Sequence, residues 1–185
     1  MNPGTIGNRR YRRAAAAFCL LALAAAAASA AEPPSAAVWK ERKDSISYFG
    51  LTSTYSCMGI EGRIKQILAF LGARKDVSVN ASACNSHDMP IGHSMIINVH
   101  FYSLAAPEPT SAAPHVMAGW APLEIKPRSP TFMQDGDCEL VDQMHEFIQH
   151  NFSSRNLEYR AQCTPYATTM DSYAVHGEFL QIAKQ

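Results

Sequence analysis

The segment HDMPIGHSM holds the residues with the most distinctive chemistry in the chain, because it contains two His-x-Met pairs. The pairs are His87 with Met89 and His93 with Met95. Imidazole nitrogens and thioether sulfurs together suit copper, so one interpretation of the segment is a copper site. The interpretation that we favour is a hairpin loop that turns at its Pro and Gly residues, with Met95 packing in the next strand and no cofactor bound.

A second candidate site comes from the dipeptide Val-His, which occurs once in each half of the chain. His100 and His176 occupy equivalent positions in two similar apolar runs, so one hypothesis places them face to face as a ligand-binding pair. Such a pair binds an anion when it is protonated or a metal ion when it is neutral. The alternative is two half-exposed strand histidines without a ligand.

Four cysteines lie beyond the first 31 residues, and none belongs to a C-x-x-C motif of the kind that redox and zinc sites use. We therefore expect structural disulfides, for which the sequence alone permits three pairings. A helix of roughly 15 residues rises about 22 Å, and a strand of roughly 8 residues returns about 26 Å. Since the two ends then meet, the predicted pairs are Cys57 with Cys84 and Cys138 with Cys163.

Motifs of catalysis are absent from the sequence, which has no G-x-S-x-G and no glycine-rich phosphate loop of standard spacing. A hydrolase without a recognisable motif is therefore the third of our alternatives. Acidic side chains gather where the second helix is predicted to begin, at Asp135, Asp137, Glu139 and Asp142. Negative charge there favours the helix dipole, so we interpret the cluster as capping and not as a calcium site.

Two helices are predicted from apolar stripes at helical spacing. The stripe of the first helix consists of Ile60, Ile64, Ile67, Leu68 and Leu71, and Gly72 follows where a helix stops. The stripe of the second helix consists of Leu140, Val141, Met144, Ile148 and Phe152. Its polar residues, with Glu139 among them, are expected mostly on the solvent side.

Period-two alternation predicts three strands in each half of the chain. They cover 45–51, 77–81 and 94–104 in the first half, and 116–125, 157–161 and 172–182 in the second. Pro122 places its strand at an edge or a bulge. We therefore predict an α+β two-layer sandwich, in which an antiparallel-rich sheet carries both helices on one face.

The element order also predicts two β-α-β-β repeats, ferredoxin-like in style, within a single domain at 32–185. The half-repeats span about 45–104 and 116–182, and an Ala/Pro connector at 105–115 joins them. The sheet face without helices is then the natural place for a ligand. The aromatic residues available to furnish it are Tyr48, Phe101, Tyr102, Trp120 and Tyr159.

The first 31 residues have the order of a secretory signal peptide. A basic cluster of four arginines precedes an apolar run from Ala14 to Ala28, and small residues follow that suit cleavage near Ala30 or Ala31. The run is shorter than the roughly 20 residues of a transmembrane helix. We therefore expect a periplasmic or secreted protein with no transmembrane segment in the mature chain.

Removal of the four leader arginines leaves 12 basic side chains against 16 acidic ones, a formal net charge of −4. This balance argues against nucleic acid as a partner, because a nucleic-acid binder presents a basic face. The partner is expected to be a protein or a small molecule. The leading prediction is an exported, disulfide-stabilised, non-enzymatic binding domain, and the alternative is a periplasmic copper-binding protein.

The run YSCMGIEGRIKQILAFLGARKDVSV resembles exported proteins of uncharacterised families in Gram-negative bacteria. The resemblance lies in a helix that begins with Cys and in the Leu-Gly-Ala-Arg turn that follows it. It covers about one third of the mature chain. The resemblance implies export and carries no activity with it.

Overall fold

The computed structural model describes residues 32–53, 55–82, 94–109, 114–166 and 172–183, all of which lie in one compact unit, Glu32–Gln185. The leader lies outside the described residues. Neither helix in the described ranges is long and apolar enough to cross a membrane.

Both helices form where the apolar stripes predict them. Helix α1 spans Cys57–Phe70, and the hydroxyl of Ser56 caps it by accepting a hydrogen bond from the Gly59 N–H at 3.1 Å. Helix α2 spans Cys138–Asn151. Both helices bury their apolar stripe, which explains why sequence periodicity located them.

Six strands form one antiparallel sheet in the order β2-β3-β1-β4-β6-β5. The strands are β1 (Ser35–Phe49), β2 (Ser78–Ser82), β3 (Ser94–Ala105), β4 (His115–Ile125), β5 (Ser154–Gln162) and β6 (Ser172–Ile182). Each half of the chain therefore has the element order β-α-β-β. The α+β sandwich with an antiparallel sheet is confirmed.

The two halves of the sheet meet along a short seam. Strand β1 pairs with β3 from Val38 to Phe49 but with β4 only from Ser35 to Val38. Residues 119–125 of β4 consequently pair with β6 alone, and Pro122 lies in this stretch. A proline fits there because it has no N–H to offer a second neighbouring strand.

The main core lies between the helices and one face of the sheet. Buried residues of α1, α2 and the strands form a single cluster, so both helices cover the same face. The largest fully buried side chains, Tyr48, Phe101 and Phe179, belong to it. Tyr159 also packs on this cluster from β5.

A second, smaller apolar cluster lies on the uncovered face, because its members alternate with the core residues along their strands. We call it the seam cluster, and its buried members are Ala37, Leu104, Ala118 and Leu180. Trp39, Val116 and Trp120 pack against it and are partly buried. The seam cluster therefore gives the uncovered face an apolar centre.

Three expectations need correction. Strand β1 begins at Ser35, ten residues before the predicted start. Its charged stretch, residues 40–44, has no apolar alternation, but it pairs with β3. Glu139 is only 7% exposed and does not face solvent. Of the aromatics proposed for the uncovered face, Tyr102 and Trp120 lie there, whereas Tyr48, Phe101 and Tyr159 lie under the helices.

Cys138 and Cys163 form a disulfide that joins the start of α2 to the residue after β5. This is the pair that the helix and strand lengths predict. Cys57 is also disulfide-bonded, and Cys84, its predicted partner, lies outside the described residues.

Candidate functional site

The turn that ends α1 forms one wall of the candidate site. Gly72 adopts a left-handed conformation with φ of 95°, which ends the helix. The Gly72 N–H donates to the Ala69 carbonyl at 3.1 Å, and the Ala73 N–H donates to the Leu68 carbonyl at 2.9 Å. The side-chain amide of Gln181 on β6 donates to the Phe70 carbonyl at 3.0 Å, so the turn is attached to the end of β6.

Arg74, two residues beyond Gly72, is held from three directions. Its backbone N–H donates to the Tyr102 carbonyl on β3 at 3.0 Å, and its guanidinium carbon lies 3.6 Å from the centre of the Tyr102 ring. Its Nε and Nη2 donate to the two Asp76 carboxylate oxygens at 2.7 and 2.5 Å. These hydrogen bonds lower the pKa of the Asp76 carboxyl and raise that of Arg74.

A cavity of about 620 Å³ lies between this turn, β1 and the end of β6. We call it the turn cavity, and its lining residues are Trp39, Gly72, Ala73, Arg74, Lys75, Asp76, Gln181 and Ile182. Trp39 lies opposite Leu104 in the β1–β3 register and so connects the cavity with the seam cluster. Ile182 is 56% exposed, which leaves a large apolar side chain at the cavity wall.

The turn cavity combines an apolar wall with a positive rim. Arg74 and Lys75 are opposed by Asp76 alone among the lining residues, although residues 32–185 carry a formal net charge of −4. Lys75 is exposed and makes no ion pair within the described part of the chain. A few charged groups around an apolar pocket of this size are typical of small-molecule sites.

The two histidines of the Val-His dipeptides are not brought together, because β1 and β4 lie between their strands. His100 lies opposite Lys43 and Ser78, and its Nε2 is 2.8 Å from the Glu41 carboxylate. His176 lies opposite Glu124 and Glu158. Both side chains are on the uncovered face, but each has its own acidic neighbours.

The His/Met segment is described only at its end. Residues His87, Met89 and His93 lie outside the described residues. Met95 is 3% exposed and belongs to the main core, which is the packing role that the hairpin interpretation gives it. Within the described ranges, no group of three His, Cys, Asp or Glu side chains is arranged to hold a metal ion.

A polar cavity of about 570 Å³ lies on the uncovered face beside His100. The Lys43 ammonium and the His100 imidazole already share one partner, because Lys43 lies 2.9 Å and His100 lies 2.8 Å from the Glu41 carboxylate. The hydrogen bonds from Lys43 and His100 lower the pKa of the Glu41 carboxyl. Both side chains are already bound by a group of the protein, so this cavity is a weaker candidate than the turn cavity.

Sequence reasoning missed a buried polar cluster where the two helices begin. Asp137 is 1% exposed and accepts hydrogen bonds from the Tyr55 hydroxyl and from the Gln134 N–H, the latter at 2.7 Å. The Arg63 Nε lies 3.5 Å from the same carboxylate. Burial raises the pKa of Tyr55, and the neighbouring Asp137 charge raises it further.

Glu139 belongs to the same cluster and forms hydrogen bonds with the chain segment that follows β1. Its carboxylate accepts from the backbone N–H groups of Leu51 at 2.9 Å, Thr52 at 3.0 Å and Ser53 at 3.4 Å. Asp137 therefore caps the short turn that leads into α2, through the Gln134 N–H, while Asp137 and Glu139 also make tertiary hydrogen bonds that were not predicted. Because these groups satisfy one another, we assign the cluster to stability.

The residues that line the turn cavity were also missed as a site. Trp39 lies just before the charged stretch of β1, outside the predicted strand, and Gln181 approaches the α1 turn from a distant part of the chain. The one available signal was the Leu-Gly-Ala-Arg turn, whose Gly72, Ala73 and Arg74 all line the cavity.

No protein-family model, no curated protein and no solved structure matches this chain.

Proposed function

We propose that the protein is an exported, disulfide-stabilised, non-enzymatic binding domain that holds a small ligand on the sheet face without helices. The observation that carries this proposal is the turn cavity, where Trp39 and Ile182 provide apolar surface beside charged side chains. Burial of apolar ligand surface stabilises a complex, and a few charged groups fix its orientation.

The positions of the charged groups support binding over catalysis. Arg74 is fixed by Asp76 and Tyr102, so it offers a preorganised contact. Among the described residues that line the turn cavity there is no Ser, Thr, Cys or His. The cavity therefore lacks the hydroxyl or thiol nucleophile and the imidazole base of the common covalent hydrolases.

Fluorescence of a single tryptophan tests this proposal. The chain has two tryptophans, so Trp120→Phe leaves Trp39 as the only one. We expect the neutral apolar probe N-phenyl-1-naphthylamine to quench Trp39 emission by energy transfer, saturably and with one site per chain. The matched control is Trp39→Ala, which keeps Trp120 as the fluorophore and should lose saturable binding because the apolar wall is removed. Absence of saturable binding in the Trp120→Phe protein would contradict the proposal.

Export is the second part of the proposal, and it is supported by the basic and apolar leader at 1–31. We place the mature protein in the periplasm or outside the cell. N-terminal sequencing of the protein from a Gram-negative periplasmic fraction should begin at Ala31 or Glu32. A chain that retains Met1 in the cytoplasmic fraction would contradict it.

We also propose that the two halves are diverged copies of one β-α-β-β unit. The proposal is supported by the sheet order, in which β2-β3-β1 of the first half is mirrored by β5-β6-β4 of the second. The two middle strands, β1 and β4, then meet at the seam.

A further inference from the structure

Resting on the proposed function of the turn cavity, we infer that its ligand is an apolar monocarboxylate, a small molecule with a short acyl body and one carboxylate group. The acyl body packs on Trp39 and Ile182, and the carboxylate is bound by Lys75 beside Arg74.

The apolar part of the ligand follows from the walls of the cavity. Trp39 packs on the seam cluster and presents the remainder of its ring system to the turn cavity. Ile182, 56% exposed, stands at the end of β6 in the same cavity. An acyl chain that covers both side chains removes apolar surface of the protein and of the ligand from water.

The charge of the ligand follows from the rim. Arg74 is already neutralised by Asp76, which receives two hydrogen bonds from its guanidinium. Lys75 makes no ion pair within the described ranges, and so it leaves one positive charge uncompensated at this cavity. One uncompensated ammonium group matches one carboxylate, which accepts charge-assisted hydrogen bonds.

The size of the cavity favours a small molecule over a peptide chain. A volume of about 620 Å³ is in the range of pockets for small molecules. In addition, the turn that forms its wall already has its own hydrogen bonds to β3 and β6.

Competition against the bound probe tests the ligand class. N-phenyl-1-naphthylamine is loaded on the Trp120→Phe protein and displaced with octanoate, octan-1-ol or octyltrimethylammonium, which share one apolar chain and differ in charge. We expect octanoate to bind about tenfold more tightly than octan-1-ol, because a charged hydrogen bond adds to equal apolar contact. Octyltrimethylammonium should bind more weakly than the alcohol.

Substitution of Lys75 provides the decisive comparison. In Lys75→Gln, octanoate should lose its advantage and bind within about twofold of octan-1-ol, both affinities being corrected for the probe affinity of that variant. The matched control is Lys65→Gln, which removes the same charge from an exposed position on α1 outside the turn cavity. This control should keep the preference for octanoate.

The outcomes separate the two proposals. If the probe binds but octanoate is no better than octan-1-ol, the ligand class is wrong while the binding site stands. If the uncharged peptide acetyl-Ala-Ala-Leu-amide displaces the probe more strongly than octanoate, the assignment to a small monocarboxylate is wrong. If no compound displaces the probe and the probe does not saturate, the proposed function itself fails.

Discussion

Gly72 shows how one residue connects the fold to the candidate site. Its positive φ turns the chain from α1 towards β3, which places Arg74 on Tyr102. A Cβ at this position would lie 3.2 Å from the Gln181 Cγ and 3.4 Å from the Leu180 carbonyl oxygen. The left-handed conformation therefore favours glycine, and a Cβ would also have to displace the Gln181 side chain slightly.

Replacing this glycine should destabilise the protein. We expect Gly72→Ala to lower the free energy of unfolding by about 1–2 kcal/mol, the usual cost of a left-handed residue with a Cβ. The matched control is Gly62→Ala within α1, where no atom lies within 4 Å of the added Cβ. That change should raise the free energy of unfolding by about 0.5–1 kcal/mol. Urea unfolding measures both, and equal effects of the two variants would refute the role of Gly72.

Tyr55 should make stability depend on alkaline pH. Burial, with the nearby Asp137 charge, raises its pKa in the folded protein, whereas in the unfolded chain it ionises near pH 10. The contribution of Tyr55 to the free energy of unfolding is therefore full below about pH 10, and it is lost as the pH rises above that value.

The Tyr55→Phe variant tests this dependence. Its free energy of unfolding should fall less steeply than that of the wild type between about pH 10 and pH 11.5, because one raised phenol pKa is removed. Tyr166→Phe is the control, since Tyr166 is 80% exposed, and it should keep the wild-type slope. Identical slopes for Tyr55→Phe and the wild type would count against this assignment.

At the scale of elements, α2 is attached at both of its ends. Its first residue, Cys138, bonds to Cys163 beyond β5, and its last residue, Asn151, donates to the Asp44 carboxylate on β1 at 2.6 Å. In between, the amide group of Gln143 exchanges two hydrogen bonds with the backbone of Phe49, at 2.5 and 2.6 Å. The side chain thus pairs with the free edge of β1 as a neighbouring strand would.

Removing the disulfide of this element should cost stability without changing the fold. The bond joins residues 25 apart in sequence, and the loop-closure model gives about 3 kcal/mol for a loop of this length. The double variant Cys138→Ala, Cys163→Ala should therefore unfold at lower urea concentration, with its circular dichroism spectrum unchanged before the transition. Stability equal to the wild type would show that the bond is dispensable.

At the scale of the whole molecule, the sequence predicted what depends on local periodicity. The apolar stripes predicted α1 and α2, and the period-two alternation predicted β6. Both patterns arise because one side of each element faces the core. Contacts between distant segments were not predicted. Glu139 lies outside the apolar stripe of α2, so the sequence predicts that it faces solvent. Its burial is explained by hydrogen bonds from the backbone N–H groups of Leu51 to Ser53, which are 86 to 88 residues away.

The candidate site was missed for the same reason. Trp39 and Gln181 are remote in sequence from the α1 turn, and the sheet order brings them to it. A sheet face without helices was predicted and is present, and Trp120 and Tyr102 lie on it. The turn cavity could not be predicted, because its position depends on the register of β1 with β3, and sequence periodicity does not give that register.

The two halves should form one cooperative unit, because they share hydrogen bonds and one core. Ser103 on β3 donates to the Asn151 carbonyl at 2.6 Å, and Ser153 donates to the Leu104 carbonyl at 2.9 Å. The helices α1 and α2 bury their stripes in the same main core. Neither half therefore has a complete apolar core without the other.

Cutting the connector tests this cooperativity. A protease site inserted after Pro109, followed by cleavage, should leave two fragments that elute together in size-exclusion chromatography. Their thermal unfolding should remain a single transition, at a lower midpoint than the intact chain, because cleavage raises the entropy of the unfolded state. The intact protein with the same insertion is the control for the added residues. Two separate transitions, or one fragment that keeps native circular dichroism alone, would show instead that each β-α-β-β half folds independently.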